Sequence, residues 1–429
     1  MNNLQPLKAD RRINSIDTLR GIALLGILLI NIVGMALPDP AYFDPSLSGG
    51  HTGWNLRVFF LNSIFFEGTM RGIFSLLFGA GIVLFVNNKE EDGNRFELLE
   101  VWFRRLIWLI IIGMIHAYIL LWPAEILFAY GMIGLFLFPF RRLNPGKLIG
   151  ISILIVLIGF VLNFKDAKIA KREQIQYFEA VELINKEEKL PYETMMGYYS
   201  WIEKYATMKP TSEILESRIE KMQSGYRAAF NELKLSSRFY ESDFHYRHNY
   251  IDILSMMLLG IALFKLRILH AEKSYQFYLF MILFGYGIGI PINYFETTTF
   301  INNNFALISY YDLLRTYDMG RIPTMMGHIG IIMIFCKSGI ILFLKRSLAA
   351  VGRMALTNYI MHTIIATIIF VGFSQYGKWQ RYELYYLVAL IWIFQLIASP
   401  IWLKYFRFGP VEWLWRSLSY MKWQKFLKD

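Results

Sequence analysis

The amino-acid sequence predicts an all-α protein: a polytopic transmembrane bundle of about ten spanning helices, with both termini in the cytoplasm. Three observations carry this. Hydrophobic residues make up 55% of the 429 residues and charged residues only 18%, against roughly 25% charged in a soluble domain. Mean hydropathy is +0.37, and a soluble fold of this size cannot hide so much apolar surface beneath a polar skin. Apolar runs of about 20 residues, the length that crosses a bilayer, recur along the chain. The same composition excludes disorder, coiled coil and collagen.

In order, the expected spans are 16–37, 70–87, 102–121, 124–140, 147–164, 249–268, 275–295, 322–343, 350–373 and 383–403. The run 58–66 is too short to span and reads as re-entrant or interfacial. The charges between spans set the orientation. Lys8, Arg11 and Arg12 precede the first span, and Lys89, Arg95, Arg104 and Arg105 lie around the second boundary. Arg141, Arg142 and Lys147 follow the fourth span, Lys265, Arg267 and Lys273 the sixth, and Lys345, Arg346 and Arg353 precede the ninth. A basic tail from Lys404 to Lys428 closes the chain. The alternate loops carry few basic residues, so both ends are expected in the cytoplasm. The first span follows basic residues as a signal peptide does, but Asp17 and Arg20 interrupt its start, and it is read as a retained helix.

Four regions follow: an N-terminal transmembrane half (1–164), a loop (165–248), a C-terminal transmembrane half (249–403) and a tail (404–429). The loop is charged and helix-prone over Ala167–Glu188 and Ser212–Leu235, with breaks at Pro191 and Pro210. It is expected as an extracytoplasmic or interfacial helical cap. In the tail, Trp413, Trp415 and Trp423 interleave with Arg416, Lys422 and Lys425, the pattern of an interfacial amphipathic helix. The net charge of +11 fits loops facing anionic lipid and implies no nucleic acid. The single Cys336 excludes an intrachain disulfide framework and a cysteine-based metal site.

Ionisable and polar groups inside a membrane are costly and need partners or a water-filled cavity. Asp17 and Arg20, three apart, share a helix face. Asn31, three turns on, returns near that face. They read either as a polar stripe lining a cavity or as an interface pair that sets helix register. Glu67 and Arg71 flank a glycine-rich break at Gly68 and Gly72, suited to function or to close packing. His116 lies in the third span and Glu125 opens the fourth across a tight hairpin. That pair can serve as a general base with an orienting carboxylate, or as a buried bond between helices. Asn358 and His362 share a face of the ninth span, suited to a ligand or to interhelical hydrogen bonds, while Arg353 can reach the interface. Gly285 and Gly289 read as packing positions in the seventh span. His51, in the first external loop, reads as an ordinary solvated histidine. No Walker A loop, dinucleotide fingerprint, G-x-S-x-G elbow or H-E-x-x-H motif is present. No metal ligand set and no resident cofactor are expected.

Several blocks resemble one family. They are Arg12–Ala23 with its Asp17-Thr18-Leu19-Arg20-Gly21 core, Phe74–Gly81, Ile115-His116 followed by Trp122 and Glu125-Ile126-Leu127, Val351–Tyr359, and Phe406–Arg416. By these blocks the chain is identified as a member of the YeiB-like bacterial membrane proteins, domain-of-unknown-function family 418, over roughly 13–145 and 250–420. The family's usual acid at position 125 is Asp, and Glu keeps the charge. The Glu67–Arg71 stretch is looser than the family pattern.

The Asp17–Arg20–Gly21 signature is also similar to that of the lysosomal heparan-glucosaminide N-acetyltransferase, one of a wider group of transmembrane acyltransferases. That resemblance implies transfer of an acyl group from cytoplasmic acyl-CoA, as co-substrate, to an envelope glycan, lipid or small-molecule acceptor, in the bacterial inner membrane. It implies an acyl-transfer role for His51, in a short match over His51–Asn55. The YeiB-like pattern itself points to His116 with Glu125 as the catalytic pair. Asp17, Arg20, Asn31, Arg71, Arg353 and Asn358 are then candidate donor or substrate contacts. Two other classes stay open: a transporter or flippase for a small amphiphile, and a structural or sensory protein acting through loop 165–248. The paired glycines leave homo-oligomer contacts open.

Overall fold

A computed structural model describes residues 13–87, 95–242 and 250–428. The basic residues Lys8, Arg11, Arg12 and Lys89 lie outside them. The described residues form seventeen α-helices and no strand apart from one isolated bridge, Phe406 to Leu427. The helices are α1 (Asn14–Ala36), α2 (Pro40–Phe43), α3 (Gly53–Leu61), α4 (Thr69–Asn87), α5 (Arg95–Met114) and α6 (Leu127–Leu137). There follow α7 (Pro145–Asn185), α8 (Tyr192–Met208), α9 (Ser212–Gln223), α10 (Tyr226–Glu241), α11 (Tyr250–Lys265) and α12 (Tyr275–Asn302). The last are α13 (Leu307–Lys337), α14 (Leu342–Arg353), α15 (Ala355–Ala366), α16 (Leu384–Tyr405) and α17 (Pro410–Tyr420). The fold is the all-α bundle that the composition predicts.

Among the described residues, seven segments are long and apolar enough to cross a membrane: Asn14–Ala36, Gly53–Phe85, Pro145–Asn185, Tyr275–Asn302, Leu307–Lys337, Ala355–Gly372 and Leu384–Tyr405. The other three expected spans fall on α5, α6 and α11, of 20, 11 and 16 residues. The surroundings are a lipid bilayer by the chemistry of the surface. Ile153, Leu154, Leu157 and Val161 of α7, and Leu390, Phe394 and Ile397 of α16, are exposed on the outside of the bundle, where water would penalise them.

The bundle has two unlike ends. At the end where α1 starts, α14 lies against it, and α17 packs on α5 and α15. This is the tail end. At the opposite end, α8, α9 and α10 form a cap. Gln223 Nε2 donates to the Tyr376 carbonyl (2.6 Å), the Ser374 hydroxyl to the Gln223 carbonyl (2.7 Å), and Tyr226 Oη to the Ile119 carbonyl (2.8 Å). A Lys209–Asp44 ion pair ties the end of α8 to the segment after α2.

Four boundaries differ from the sequence reading, each for a local reason. The fifth span and the first loop helix form one 41-residue rod, α7, about 60 Å at 1.5 Å per residue. No proline interrupts it after Pro145, so the helix continues where the apolar stripe ends. The predicted helix Ser212–Leu235 divides at Gly225, whose φ of +102° is a conformation open to glycine. The eighth span starts fifteen residues early, as α13, and carries Pro323 internally. The ninth is split at Met354 between α14 and α15. The run 58–66 is helical, joined to α4 through a turn at Gly68.

Candidate functional site

Three polar clusters are embedded in the bundle, and two of them lie toward the cap. The first is built on His116. The helix α5 ends in a π turn, Ile115–Ile119, which carries His116 into the interior, where it is wholly buried. Its Nε2 lies 2.7 Å from Thr363 Oγ1 of α15. Its Nδ1 faces Glu125 Oε2 at 3.9 Å, too long for a hydrogen bond. The Tyr359 ring meets the imidazole edge-on, with centroids 5.0 Å apart.

Glu125 is fixed by the start of α6. Its two carboxylate oxygens accept the backbone N–H groups of Leu127 (2.6 Å) and Phe128 (2.8 Å). Those N–H groups are unsatisfied by the helix itself, and the N-terminal dipole favours an anion there. The carboxylate is therefore held in place whether or not His116 is charged. The sequence reading of a His116–Glu125 approach across the hairpin agrees with this geometry, but Thr363 was not in it. The α5–α6 hairpin is visible in the local sequence. A contact from 247 residues away is not.

Beside Thr363 on α15, His362 Nε2 lies 3.0 Å from Gln395 Oε1, and Gln395 Nε2 donates to the Asn358 carbonyl (3.1 Å). Asn358 Nδ2 donates to Val351 O (3.2 Å) and Ser399 Oγ (3.1 Å). Asn358 and His362 thus share a face, as their spacing indicates, and join α15 to α16. Another π turn, Thr367–Gly372, follows α15, and Thr367 Oγ1 donates to the Leu120 carbonyl (2.9 Å) beside His116. Sites of function are where π turns concentrate.

A cavity of about 20 Å³ opens on the cap side of this cluster, lined by Asp39, Pro123, Met222, Thr363, Thr367 and Tyr376 among others. That is room for about one water molecule. Burial pushes the Asp39 carboxyl above its ordinary range, while Arg218 of α9 and the Ser236 hydroxyl of α10 pull it back.

The second cluster is ionic. Arg71 Nη2 binds Asp252 Oδ2 at 2.7 Å and Arg321 Nη1 binds Asp252 Oδ1 at 2.6 Å. Arg321 also pairs with Asp318. Glu67 accepts from Tyr42 Oη (2.6 Å) and Tyr317 Oη (3.2 Å). Gly68, at φ +66°, lets the chain pass against Tyr317 and Arg321. Arg71 therefore pairs with Asp252 of α11 rather than with Glu67, and Asp252 links it to Arg321 of α13. Asp252, inside the sixth span, was not singled out, and Asp318 and Arg321 escaped the sequence reading because the eighth span was begun at 322. Their signal was present: Asp318 and Arg321 repeat the Asp17-x-x-Arg20 spacing.

The third cluster is at the tail end. Asp17 Oδ1 accepts from Arg20 Nη1 (3.0 Å), and Asp17 also faces Arg353. Helices α1 and α14 touch backbone to backbone there. A Cβ on Gly21 would strike the Leu348 carbonyl, and one on Gly352 the Asp17 carbonyl. Nearby, Glu412 of α17 accepts from Leu356 N (2.6 Å), Thr357 N (3.0 Å) and the Thr357 hydroxyl, capping α15. Two expected residues stand apart. Asn31 is half-buried without a hydrogen bond to the described residues. His51 is exposed at the start of α3 and takes no part in the contacts around His116.

Residues 263–422 match the profile of a family described as a protein of unknown function, DUF418. Three relatives match nearly end to end. The uncharacterized protein YxaH of Bacillus subtilis (strain 168) is 30% identical over 100% of this chain and 99% of its own. The chain belongs to the YeiB-like DUF418 family. The uncharacterized protein YeiB of Escherichia coli (strain K12) is 28% identical over 94% and 95% of the two chains. An uncharacterized 39.9 kDa protein in the amylase 3' region of Bacillus acidopullulyticus is 26% identical over 97% and 96%. No solved structure matches the chain. In this YeiB-like protein the DUF418 match covers Arg353, Asn358, Thr363 and Glu412. His116, Glu125 and the Asp17–Arg20 pair lie in the region matched by the full-length relatives alone.

Proposed function

We propose that this protein is an integral-membrane acyltransferase. It moves an acyl group from acyl-CoA at the tail end to a glycan, lipid or small-molecule acceptor at the cap end. The observation that carries the reading is the buried sequence of Thr363 hydroxyl, His116 imidazole and Glu125 carboxylate beside a cavity under the cap. A hydroxyl within hydrogen-bond distance of an imidazole, with a fixed carboxylate at the other ring nitrogen, is the arrangement that moves protons in acyl transfer. The resemblance of the Asp17–Arg20–Gly21 signature to transmembrane acyltransferases supports the same class.

In this reading the chain sits in a bacterial inner membrane as a multi-pass protein, with the tail end in the cytoplasm. Arg20 and Arg353, both facing Asp17, are the candidate contacts for CoA phosphates. His116 is the general base toward the acceptor, and Glu125 orients it. The cavity is too small for an acyl group, so turnover requires the cap to move.

A second reading has its own observation. The Arg71–Asp252–Arg321–Asp318 network is costly inside a membrane and suits a binding site or proton path in a transporter or flippase for a small amphiphile. Acyl-CoA and free CoA binding to the detergent-purified protein separates the two. A ligand that binds only the folded state raises its stability by about 2.7 kcal/mol at a hundred times Kd. Saturable stabilisation, weakened by Arg20→Ala or Arg353→Ala, is the expected result. No shift up to millimolar acyl-CoA sinks the acyltransferase reading and favours transport.

A further inference from the structure

We propose that Thr363 is the nucleophile that carries the acyl group covalently between donor and acceptor, an inference that rests on the acyltransferase reading above. The hydroxyl bonding pattern of this chain is the reason. A threonine inside a helix ordinarily donates its hydroxyl to the carbonyl four residues back. Thr69 does so to Phe65, Thr207 to Glu203, Thr298 to Tyr294 and Thr324 to Gly320. Three threonines of α15 and the π turn after it bond elsewhere: Thr357 to Glu412, Thr367 to the Leu120 carbonyl, and Thr363, whose Oγ1 lies 2.7 Å from His116 Nε2. The partner of Thr363 is a base, and both groups are at most 1% exposed.

The base has a neighbour on three sides. Nε2 points to Thr363, Nδ1 faces the Glu125 carboxylate, and the Tyr359 ring closes the edge. Glu125 cannot swing away without releasing two backbone N–H groups. Nucleophile, base and orienting acid in that order are the general form of an activated hydroxyl. Position fits as well. Thr363 lines the cavity under the cap, so an acceptor entering there reaches the ester. It stands six residues along α15 from Thr357 in the tail-end cluster, about 9 Å at the helical rise, so a donor entering from that end approaches the same atom.

The chemistry balances in two halves. In the first, Thr363 Oγ attacks the thioester carbonyl carbon. The Oγ–C bond forms, the C–S bond breaks, and the hydroxyl proton passes to His116 Nε2 and on to the departing sulfur, so CoA leaves as the free thiol. In the second, the acceptor hydroxyl or amine attacks the threonyl ester. Its proton goes to His116 and returns to Thr363 Oγ as that C–O bond breaks.

The first half needs no acceptor, which makes it testable now. Detergent-purified protein is mixed with radiolabelled acetyl-CoA alone, and released CoA is measured by chromatography. The expected result is a burst of about one CoA per protein, with acetyl mapped by mass spectrometry to the peptide holding Thr363. Thr363→Ser retains the burst. Thr363→Val, of matching shape, abolishes it while elution volume and melting temperature hold. His116→Gln abolishes it as well. Hydroxylamine serves as a general acceptor in parallel, its acetyl hydroxamate reporting transfer. Hydroxamate formed at the wild-type rate by Thr363→Val, or acetyl found on His116, overturns the relay and leaves the acyltransferase reading standing. No CoA release by the wild-type protein, with or without hydroxylamine, overturns both.

Discussion

His116 Nε2 and Thr363 Oγ1 lie 2.7 Å apart, although 247 residues separate them in the chain. The contact joins the π turn after α5 to the last turn of α15. Each helix is followed by a π turn at that level. The extra residue of a π turn shifts the side chains beyond it around the helix axis. Here it accompanies a histidine pointing inward at the site where the cap closes over the bundle.

His116→Gln is expected to lower acyl transfer by about 10²- to 10⁴-fold, the usual contribution of a general base. Glutamine keeps a hydrogen-bonding group near Thr363, so folding is retained. Glu125→Gln is expected to act differently. It leaves an oxygen for the Leu127 and Phe128 N–H groups but removes the anion, at a cost of about 0.3–1 kcal/mol in helix stability. Acyl transfer by Glu125→Gln is expected to fall by less than in His116→Gln, because the base itself remains. Wild-type transfer by His116→Gln refutes its catalytic role.

Asp252→Asn is expected to destabilise the protein by about 3–5 kcal/mol, because it removes the carboxylate that Arg71 and Arg321 share. Asp318 remains with Arg321, so Arg71 bears most of the loss. The measurement is the detergent melting temperature of the two proteins side by side. A double change, Asp252→Asn with Arg71→Met, is expected to recover part of it. A melting temperature unchanged in Asp252→Asn contradicts a structural role for the network.

The Asp39 carboxyl is held above its ordinary 3.8, chiefly by burial. In the window above 3.8 the folded state therefore binds more protons than the unfolded chain, and this group's contribution to stability falls as pH rises. Asp39→Asn removes that slope. The difference in melting temperature between Asp39→Asn and wild type is expected to grow in favour of the variant as pH rises from about 4 to 7. A difference of the opposite sign shows that Arg218 outweighs desolvation.

Much of the fold was legible because a bilayer imposes a length scale and a sign rule on sequence. Apolar runs such as Gly21–Val33 and Leu154–Val161 mark helices by composition alone. The hairpin between His116 and Glu125 was legible because its partners are nine residues apart. The ends of α7 and α13 were not, since a helix continues into water wherever no proline or glycine stops it. The site was legible only on one side. Gln395 and Thr363 are unremarkable in a string of apolar residues, and their roles depend on which helix packs beside α15. Arg321 was set outside the membrane for a related reason. Hydropathy assigns a charge to the loop, whereas here burial against Asp252 and Asp318 compensates its cost.

The cap supplies the last prediction. The His116–Thr363 pair lies under α9 and α10, and the cavity of about 20 Å³ between them is too small for an acyl group. Gln223 at the end of α9 exchanges two hydrogen bonds with the turn after Gly372: its side chain reaches Tyr376 O and its carbonyl accepts from Ser374. In the acyltransferase reading, opening of this contact is the expected route for an acceptor. The Ser374 hydroxyl touches the Gln223 carbonyl at 2.7 Å, so the two residues are in direct contact. With the one native thiol removed by Cys336→Ser, the pair Gln223→Cys and Ser374→Cys forms a closable lock. Oxidation is expected to stop transfer to any acceptor entering at the cap end, and reduction to restore it. Release of CoA in the absence of acceptor is expected to persist under oxidation, because the donor enters from the tail end. Equal transfer in the oxidised and reduced states places the acceptor route elsewhere.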